Sequence, residues 1–508
     1  MKLIKSEKAN VNYCPMVVDI KDFRKHDNPE VTRLKIASVG AYDVTVSIDE
    51  QPGKFIYFPV GSQIAPAILA FLNLYRHEHL NNDPTQKGFF EDNGRVKGLR
   101  LRGQVSMGFL MPFAHLQNFI VDSFNQEIKE EDYGDGYLFD CLVDYKKGYD
   151  PENPDPELVK TFRVAKKYIN RQRVKKEIVY TGGEQKKGKR FATRGDVNRV
   201  VEGQWKQHYN TDILAKNPAL IHPNDLIHIS DKWDGTQAVS SYLLCYKAED
   251  KLTWREKLAR FITKIRPVQY EYVLASHRKI LMSDVAVGDS GFHGPNEKAS
   301  RVAAHNELIP HLRKGMMVYY ELVGYQMNSN KAWQVREGLD MDYGCVPMKE
   351  GEVYTNGKHY KIYVFRITVT NEDGDVFEFS PTDVQNWCKY NGFLAPIERF
   401  VGYAKDLYPD LNPEDEDWSV QFVKRLADDT NFYMELDSPD CASGAPHEGV
   451  VIRFEDMLPH AVKVKTFRHY EREQHDEDAG VIDIENNDVD DEEVDGNDMP
   501  QQPTEETV

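Results

Sequence analysis

From residue 210 to about residue 470, strand-like and helix-like stretches follow one another without the regular β-α-β alternation that builds a parallel sheet. Apolar and polar residues alternate over 360–369, as in a strand, and 371–375 then form a good hairpin turn. Hairpins join antiparallel neighbours. The order of elements therefore predicts an α+β domain built on antiparallel sheets over residues 210–470.

The N-terminal region has a different pattern of short strands and turns. Strands are predicted at 34–37, 44–48, 54–58 and 96–102, and one apolar helix at 64–74. Several short strands with one helix are typical of a small closed barrel such as the OB-fold. We therefore predict an OB-like nucleic-acid-binding domain over residues 1–150.

A Pro- and Asp-rich stretch at 148–156 predicts a linker, and a basic segment follows it. Residues 163–199 contain 13 Lys/Arg and three acidic residues. Such a segment is either a solvated surface or a contact for the phosphate backbone of a nucleic acid. We assign residues 151–209 to a linker and basic segment.

The net charge of −18 comes mostly from the C-terminus, because residues 471–508 alone carry −15. A segment so acidic and so poor in large apolar residues is predicted to be a disordered tail. The remaining chain is close to neutral, so its overall acidity does not exclude a nucleic-acid partner.

Three further absences in the sequence bear on its setting. The six cysteines include no C-x-x-C pair, which favours buried free thiols over disulfides or a thiolate zinc site. No apolar run of about 18 residues predicts a transmembrane helix, and the N-terminus lacks the apolar region of a secretion signal. These features predict a cytoplasmic protein without a membrane partner.

A short apolar strand at 225–231 leads into Lys232-Trp233-Asp234-Gly235, a tetrapeptide of the form K-x-D-G. A lysine at the end of a strand is held rigidly, and the glycine lets backbone or phosphate approach closely. On this tetrapeptide alone, a surface turn is the better interpretation, because the pattern arises by chance in roughly one chain in ten of this length.

A second lysine pattern changes that balance. Lys463 and Lys465 share one face of a predicted strand at 461–467, while Val462 and Val464 face the other side. Two ammonium groups on one face repel each other unless an anion lies between them. A solvated strand edge is the alternative interpretation.

Two carboxylates lie on or beside apolar strands. Glu448 directly precedes a strand at 449–452, and Glu321 lies in the segment 318–324. Each alone is compatible with an ordinary exposed glutamate. Together with the lysines they indicate a metal and ribose site, because hard divalent cations take carboxylate oxygens.

The alternating segment 360–369 places four apolar side chains on one predicted face: Tyr363, Phe365, Ile367 and Val369. Core packing is the ordinary function of such a face. One of its aromatic rings could instead stack on a nucleotide base.

Taken in order, these elements resemble the motifs of the covalent nucleotidyltransferases, the superfamily of ligases and capping enzymes. Lys232 in K-x-D-G resembles motif I, Arg278 in ASHR resembles motif Ia, and Glu321 in YYELVG resembles motif III. Phe365 in YVFRI resembles motif IIIa, Glu448 in HEGVV resembles motif IV, and Lys463 with Lys465 in VKVK resembles motif V.

Within that superfamily, residues 363–400 and the VKVK strand resemble the nick-sealing phage RNA ligases. Residues 94–112 resemble the N-terminal OB-like domain of the Deinococcus-type RNA ligases. DNA ligases and capping enzymes place an OB domain after motif V, whereas only 43 residues follow Lys465 here. The resemblance therefore predicts an ATP-dependent RNA ligase.

That resemblance implies a role for each motif residue. Lys232 is expected to attack ATP and carry AMP, and Lys463 and Lys465 are expected to contact the α-phosphate. Phe365 is expected to stack on adenine, and Glu321 to bind the ribose. Glu448 is expected to hold Mg²⁺ or Mn²⁺, and Arg278 to contact a phosphate. The expected partner is RNA with 5′-phosphate and 3′-hydroxyl ends, as in a nicked duplex. The alternatives are a DNA ligase, a capping guanylyltransferase, or a catalytically inactive RNA-binding protein.

Overall fold

The computed structural model describes residues 1–150, 156–169, 198–283, 292, 294–336 and 338–479. Its N-terminal part is a set of small antiparallel sheets with two helices. The strands are β1 Lys2–Ile4, β2 Met16–Ile20, β3 Arg24–Lys25, β4 Leu34–Val39, β5 Tyr42–Ser47, β6 Gly53–Phe58, β7 Ser62–Ile64, β8 Gly98–Leu101, β9 Gln104–Met107, β10 Phe109–Pro112, β11 Cys141–Tyr145, β12 Val159–Arg163 and β13 Ala165–Lys167, and the helices are α1 Pro66–Phe71 and α2 Phe113–Phe124.

The predicted strands at 34–37, 44–48, 54–58 and 96–102 correspond to β4, β5, β6 and β8, and the predicted helix corresponds to α1. Helix α2 was not predicted. It packs Phe113, Leu116 and Ile120 into the same core as the buried residues of α1. The OB-like closure of these strands stays a prediction.

The remaining strands and helices belong to the predicted α+β region. The strands are β14 Asp212–Ile213, β15 Leu226–Asp231, β16 Thr236–Tyr246, β17 Val268–Ser276, β18 Ile280–Ser283, β19 Met316–Gly324, β20 Val335–Arg336, β21 Leu339–Asp340, β22 Tyr360–Thr370, β23 Val376–Glu378, β24 Glu398–Tyr403, β25 Gly449–Phe454 and β26 Ala461–Lys465. The helices are α3 Trp254–Thr263, α4 Pro295–Leu308, α5 Pro381–Asn391, α6 Ala404–Leu407, α7 Trp418–Ala427 and α8 Phe467–Asp478.

Two sheets organise this region. A six-stranded sheet has the order β18-β17-β16-β19-β22-β23, and a five-stranded sheet has the order β14-β26-β25-β15-β24. Among the described strands of both sheets, every pair is antiparallel except β14 with β26. The prediction of an α+β domain on antiparallel sheets is therefore confirmed.

Each sheet buries one face under helices. Helices α4 and α5 cover the six-stranded sheet, where Ala304, Leu308 and Val384 pack with Val318 and Val364. Helix α7 covers the five-stranded sheet and packs Phe422 and Leu426 against Ile229, Ile452 and Val462. The turn at residues 232–235 connects β15 to β16 and thus joins the two sheets.

The expected linker is partly structured. Its residues 159–167 form β12 and β13, which pair with β11 and β7 of the N-terminal region. Residues 198–209 lie against the six-stranded sheet, where Val200 bridges to Cys245 and the Arg199 guanidinium pairs with Glu271. Most of the basic segment, residues 170–197, lies outside the described residues.

The C-terminal boundary also differs from the expected one at residue 470. Helix α8 continues to Asp478, so residues 471–478, which were assigned to the acidic tail, are helical. The amide of Gln474 exchanges hydrogen bonds with the backbone of Gly98 in β8, and Lys97 pairs with Asp478 at 2.7 Å. These contacts stabilise the helical form of residues whose acidity alone predicts disorder. Residues 480–508 lie outside the described residues.

All six cysteines are buried and free, as predicted. In the described part of the chain, no helix combines the length and the apolar character needed to cross a bilayer.

Candidate active site

The turn that joins the two sheets holds the K-x-D-G tetrapeptide. The backbone N–H of Lys232 donates to the carbonyl of Gly449 at 2.9 Å, which ties the end of β15 to the start of β25. At Gly235, an added Cβ would lie 2.7 Å from the carbonyl oxygen of Leu322 and 2.7 Å from a methyl of Val323. The close approach of β19 therefore requires glycine at this position.

Asp234 fixes the turn from inside. Its carboxylate accepts two hydrogen bonds from the Arg336 guanidinium, both at 2.8 Å, and its backbone N–H donates to the Tyr343 hydroxyl at 2.7 Å. Both partners of the ion pair are buried. Planar bidentate pairing of this kind sets orientation as well as energy. The aspartate thus positions the neighbouring lysine.

Glu448 lies between two of the predicted lysines. Its carboxylate is 2.8 Å from the Lys232 ammonium and 3.1 Å from the Lys465 ammonium, and only 4% of its side chain is exposed. Burial by itself would raise the pKa of Glu448, but Lys232 and then Lys465 hold that pKa well below its usual range. The carboxylate is therefore ionised and shared by the two ammonium groups.

Lys465 has a second carboxylate partner that the sequence did not predict. Glu473 of α8 lies 3.3 Å from the Lys465 ammonium, and the Tyr470 ring of the same helix lies 5.2 Å away. Although burial lowers the pKa of Lys465, Glu473 and then Glu448 raise it well above its usual value. Lys465 is therefore a fixed cation in this arrangement.

Phe365 lies on a β-bulge. Tyr319 of β19 is opposite Arg366, and Tyr320 is opposite Val364, so Phe365 is the extra residue between them. Its ring meets the His208 ring edge-on at 5.2 Å.

The bulge makes one prediction wrong, namely that Tyr363, Phe365, Ile367 and Val369 share a face. An extra residue reverses the alternation of side chains along a strand. Tyr363 therefore stacks on the Trp233 ring at 4.2 Å, whereas Ile367 and Val369 pack under the helices on the opposite side.

The other predicted residues come from both sheets. Glu321 lies on β19, opposite Gln237 and Tyr363 in the two flanking strands, and Arg278 follows the end of β17. Lys463 lies on β26, opposite Val451. All seven predicted residues line one cavity of about 260 Å³: Lys232, Arg278, Glu321, Phe365, Glu448, Lys463 and Lys465.

The cavity has further walls for which the sequence held no motif signal. Residues 208–211 line it from the segment before β14, and Asn10, Asn12, Tyr13 and Lys167 line it from the N-terminal region. Its lining contains seven Lys/Arg and four Asp/Glu. This excess of positive charge suits a polyanionic ligand such as a nucleotide or a nucleic-acid end.

Asp234, Glu448 and His469 offer ligand atoms that all lie within 4.8 Å of one another. Two of these groups have strong partners here, because Arg336 holds Asp234 and two lysines hold Glu448. Carboxylate oxygens suit hard divalent cations. A cation bound at Glu448 would therefore have to compete with the two ammonium groups.

No protein-family model matches the chain, and no curated protein matches it. Among solved structures, the chain is similar to an RNA ligase of Naegleria gruberi. A mutant of that ligase with ATP and Mn shares 12% sequence identity, with 92% of this chain and 99% of the ligase chain covered and a TM-score of 0.47. The structure of the ligase with PPi shares 11% sequence identity with the chain. That comparison covers 92% of this chain and 100% of the ligase chain, with a TM-score of 0.48.

Proposed function

We propose that this chain is an ATP-dependent RNA ligase that joins a 3′-hydroxyl to a 5′-phosphate, as at a nick in a duplex, through AMP covalently bound to Lys232. The observation that carries the proposal is the pairing of two motif lysines on one buried carboxylate. Glu448 lies 2.8 Å from Lys232 and 3.1 Å from Lys465, in a cavity with an excess of basic residues. The order of the motifs along the chain supports the same function.

In the first step the Lys232 nitrogen attacks the α-phosphorus of ATP, a nitrogen–phosphorus bond forms, and pyrophosphate leaves. Lysine attacks only as the neutral amine. The ion pair with Glu448 favours the ammonium form, so it represents a resting state that must open before attack. Lys463 and Lys465 stabilise the charge that develops on the phosphate.

Glu448 would hold a divalent cation once the ammonium group of Lys232 or Lys465 moves away from it, since carboxylate oxygens suit Mg²⁺ or Mn²⁺. When bound, such a cation supplies charge neutralisation at the phosphates. Phe365 is proposed to stack on adenine, Glu321 to bind the ribose, and Arg278 to contact a phosphate.

In the second step an oxygen of the RNA 5′-phosphate attacks the AMP phosphorus, and Lys232 leaves as the amine. In the third step the 3′-hydroxyl attacks the activated 5′-phosphate, a phosphodiester forms, and AMP leaves. We propose that the N-terminal region, as an OB-like domain of the Deinococcus type, holds the duplex around the nick.

The test is incubation of the purified full chain with ATP labelled in its α-phosphate. The wild type should form a labelled protein band, and Lys232→Ala should form none. Lys389→Ala, which removes an exposed lysine of α5, is the matched control and should label normally. Label on the Lys232→Ala variant would refute the nucleophile assignment.

Parallel reactions separate the alternatives. Labelling by GTP in place of ATP would indicate a capping enzyme, and sealing of DNA nicks but not RNA nicks would indicate a DNA ligase. A folded wild type that labels with no nucleotide under either metal would indicate an inactive binding protein.

A further inference from the structure

Helix α3, Trp254–Thr263, lies in the connection between β16 and β17. Within the described part of the chain, none of its ten residues is buried. A capping box between Thr253 and Glu256 starts the helix, and Lys247 pairs with Glu256 at 2.6 Å. An isolated helix of this length is marginal in water, since most helical stability comes from packing an apolar face. The exposed helix is therefore one that a partner could stabilise.

The apolar side chains of α3 form a single stripe. Trp254, Leu258, Phe261 and Ile262 are 70%, 52%, 74% and 70% exposed, and Ile265 just after the helix is 71% exposed. At 100° per residue the four helical side chains span an arc of roughly 100°. Exposed apolar surface of this extent marks an interaction site on a protein.

Basic residues border that stripe on both sides. On the helical projection Arg255 flanks Ile262, and Lys257 flanks Phe261 from the other edge. Residues 254–266 contain five Lys/Arg and one acidic residue, Glu256. Glu256 projects opposite the stripe, where Lys247 already neutralises it. The face thus combines an apolar centre with cationic edges.

The sequence alone predicts no membrane partner, but the exposed stripe changes that expectation: we propose that α3 docks on a lipid bilayer that carries anionic headgroups, with the apolar stripe inserted at the interface. A bilayer supplies an anionic layer directly above an apolar one. Lysine and arginine at the edges of an apolar stripe reach that layer with their charged ends while their stems stay apolar. A helix of ten residues spans only about 15 Å, half the hydrocarbon thickness, so it lies on the membrane and does not cross it.

Other occupants fit the face less well. A nucleic acid would pair with the basic edges but leave five large apolar side chains in water. A second copy of the chain would bring like-charged edges together. The acidic C-terminal residues 480–508 match the charge, with eleven acidic and no basic residues. Their large apolar residues are Val, Ile and one Met, without an aromatic ring to pack against the five side chains of the face.

Docking through α3 would leave the proposed active site open. Strand β16 starts at Thr236, next to the lysine turn, and ends at Tyr246, before α3. Its eleven residues span roughly 34 Å at about 3.4 Å per residue. The bilayer contact and the cavity therefore lie toward opposite ends of the strand.

The test is flotation of the full chain with large unilamellar vesicles of phosphatidylcholine alone, or of equal parts phosphatidylcholine and phosphatidylglycerol. We expect the protein to float only with the anionic vesicles. The double variant Phe261→Ser/Ile262→Ser, which keeps the charge, should reduce the bound fraction at least tenfold, and Arg255→Glu/Lys257→Glu should abolish binding. Tyr390→Ser, which removes a 90% exposed aromatic ring elsewhere, should bind like the wild type.

The full chain and a chain ending at Ala479 are both tested. Stronger flotation of the shorter chain would support the docking surface and show that the acidic residues compete for it. The proposal is overturned if neither chain floats with anionic vesicles, or if the serine variant floats like the wild type. If the wild type binds no vesicles and the serine variant loses self-association or RNA binding, the apolar stripe serves that other partner and the proposal is overturned.

Discussion

The buried ion pair of the K-x-D-G turn allows a quantitative prediction. In Asp234→Ala the Arg336 guanidinium keeps its charge but loses both carboxylate oxygens, at a position where its side chain is only 5% exposed. Removing one partner of a buried ion pair costs about 3–5 kcal/mol. Arg336 also interacts with the charge of Glu473, but it loses the bidentate contact with Asp234. We therefore expect the free energy of unfolding to fall by about that amount, a large share of the stability of an ordinary domain.

Chemical denaturation of the full chain, followed by circular dichroism, measures this change. Asp410→Ala breaks the exposed pair with Arg425 and should leave the denaturation midpoint close to that of the wild type. The double variant Asp234→Leu/Arg336→Met, which removes both buried charges, should recover most of the loss. If Asp234→Ala unfolds at the same denaturant concentration as Asp410→Ala, the buried pair does not hold the turn and the reasoning fails.

Two further predictions concern Lys465 and pH. Glu473→Gln removes a charge-assisted contact of Lys465, so lysyl-adenylate should form at least about tenfold more slowly. Glu471→Gln, at an exposed position of the same helix, is the control and should match the wild type. Equal rates for the two variants in single-turnover labelling would contradict a positioning role for Glu473. Burial lowers the pKa of His305 from 6.5 to about 4, so between those values the unfolded chain binds more protons and stability falls as pH falls. His305→Gln should therefore lose about 2 kcal/mol less stability than the wild type between pH 7 and pH 5, and identical losses by denaturation would argue against it.

Much of the α+β region could be predicted because local pattern and tertiary environment agree there. The alternation in β26 places Lys463 and Lys465 on one face and buries Val462 and Val464, as the strand period requires. For the same reason, the seven residues that were selected by the order of the motifs line a single cavity. Their chemical roles stay predictions until the labelling experiment is done.

The predictions fail where the local structure depends on a partner that is distant in the sequence. The bulge at Phe365 depends on the register with β19, which strand periodicity in one segment does not encode. Helix α8 has a composition typical of disorder, but Gly98 and Lys97, more than 370 positions earlier in the chain, provide its partners. Glu473 was consequently assigned to a tail and not to the site.

The cavity takes its walls from both ends of the chain. Tyr13 lines it from the connection between β1 and β2, Lys232 from the turn after β15, Lys465 from β26 and Glu473 from helix α8. During synthesis the N-terminal segments leave the ribosome first and fold first. A nascent chain that has exposed its K-x-D-G turn therefore still lacks Glu448, Lys465 and Glu473, so the cavity around Lys232 is complete only after helix α8 has been made.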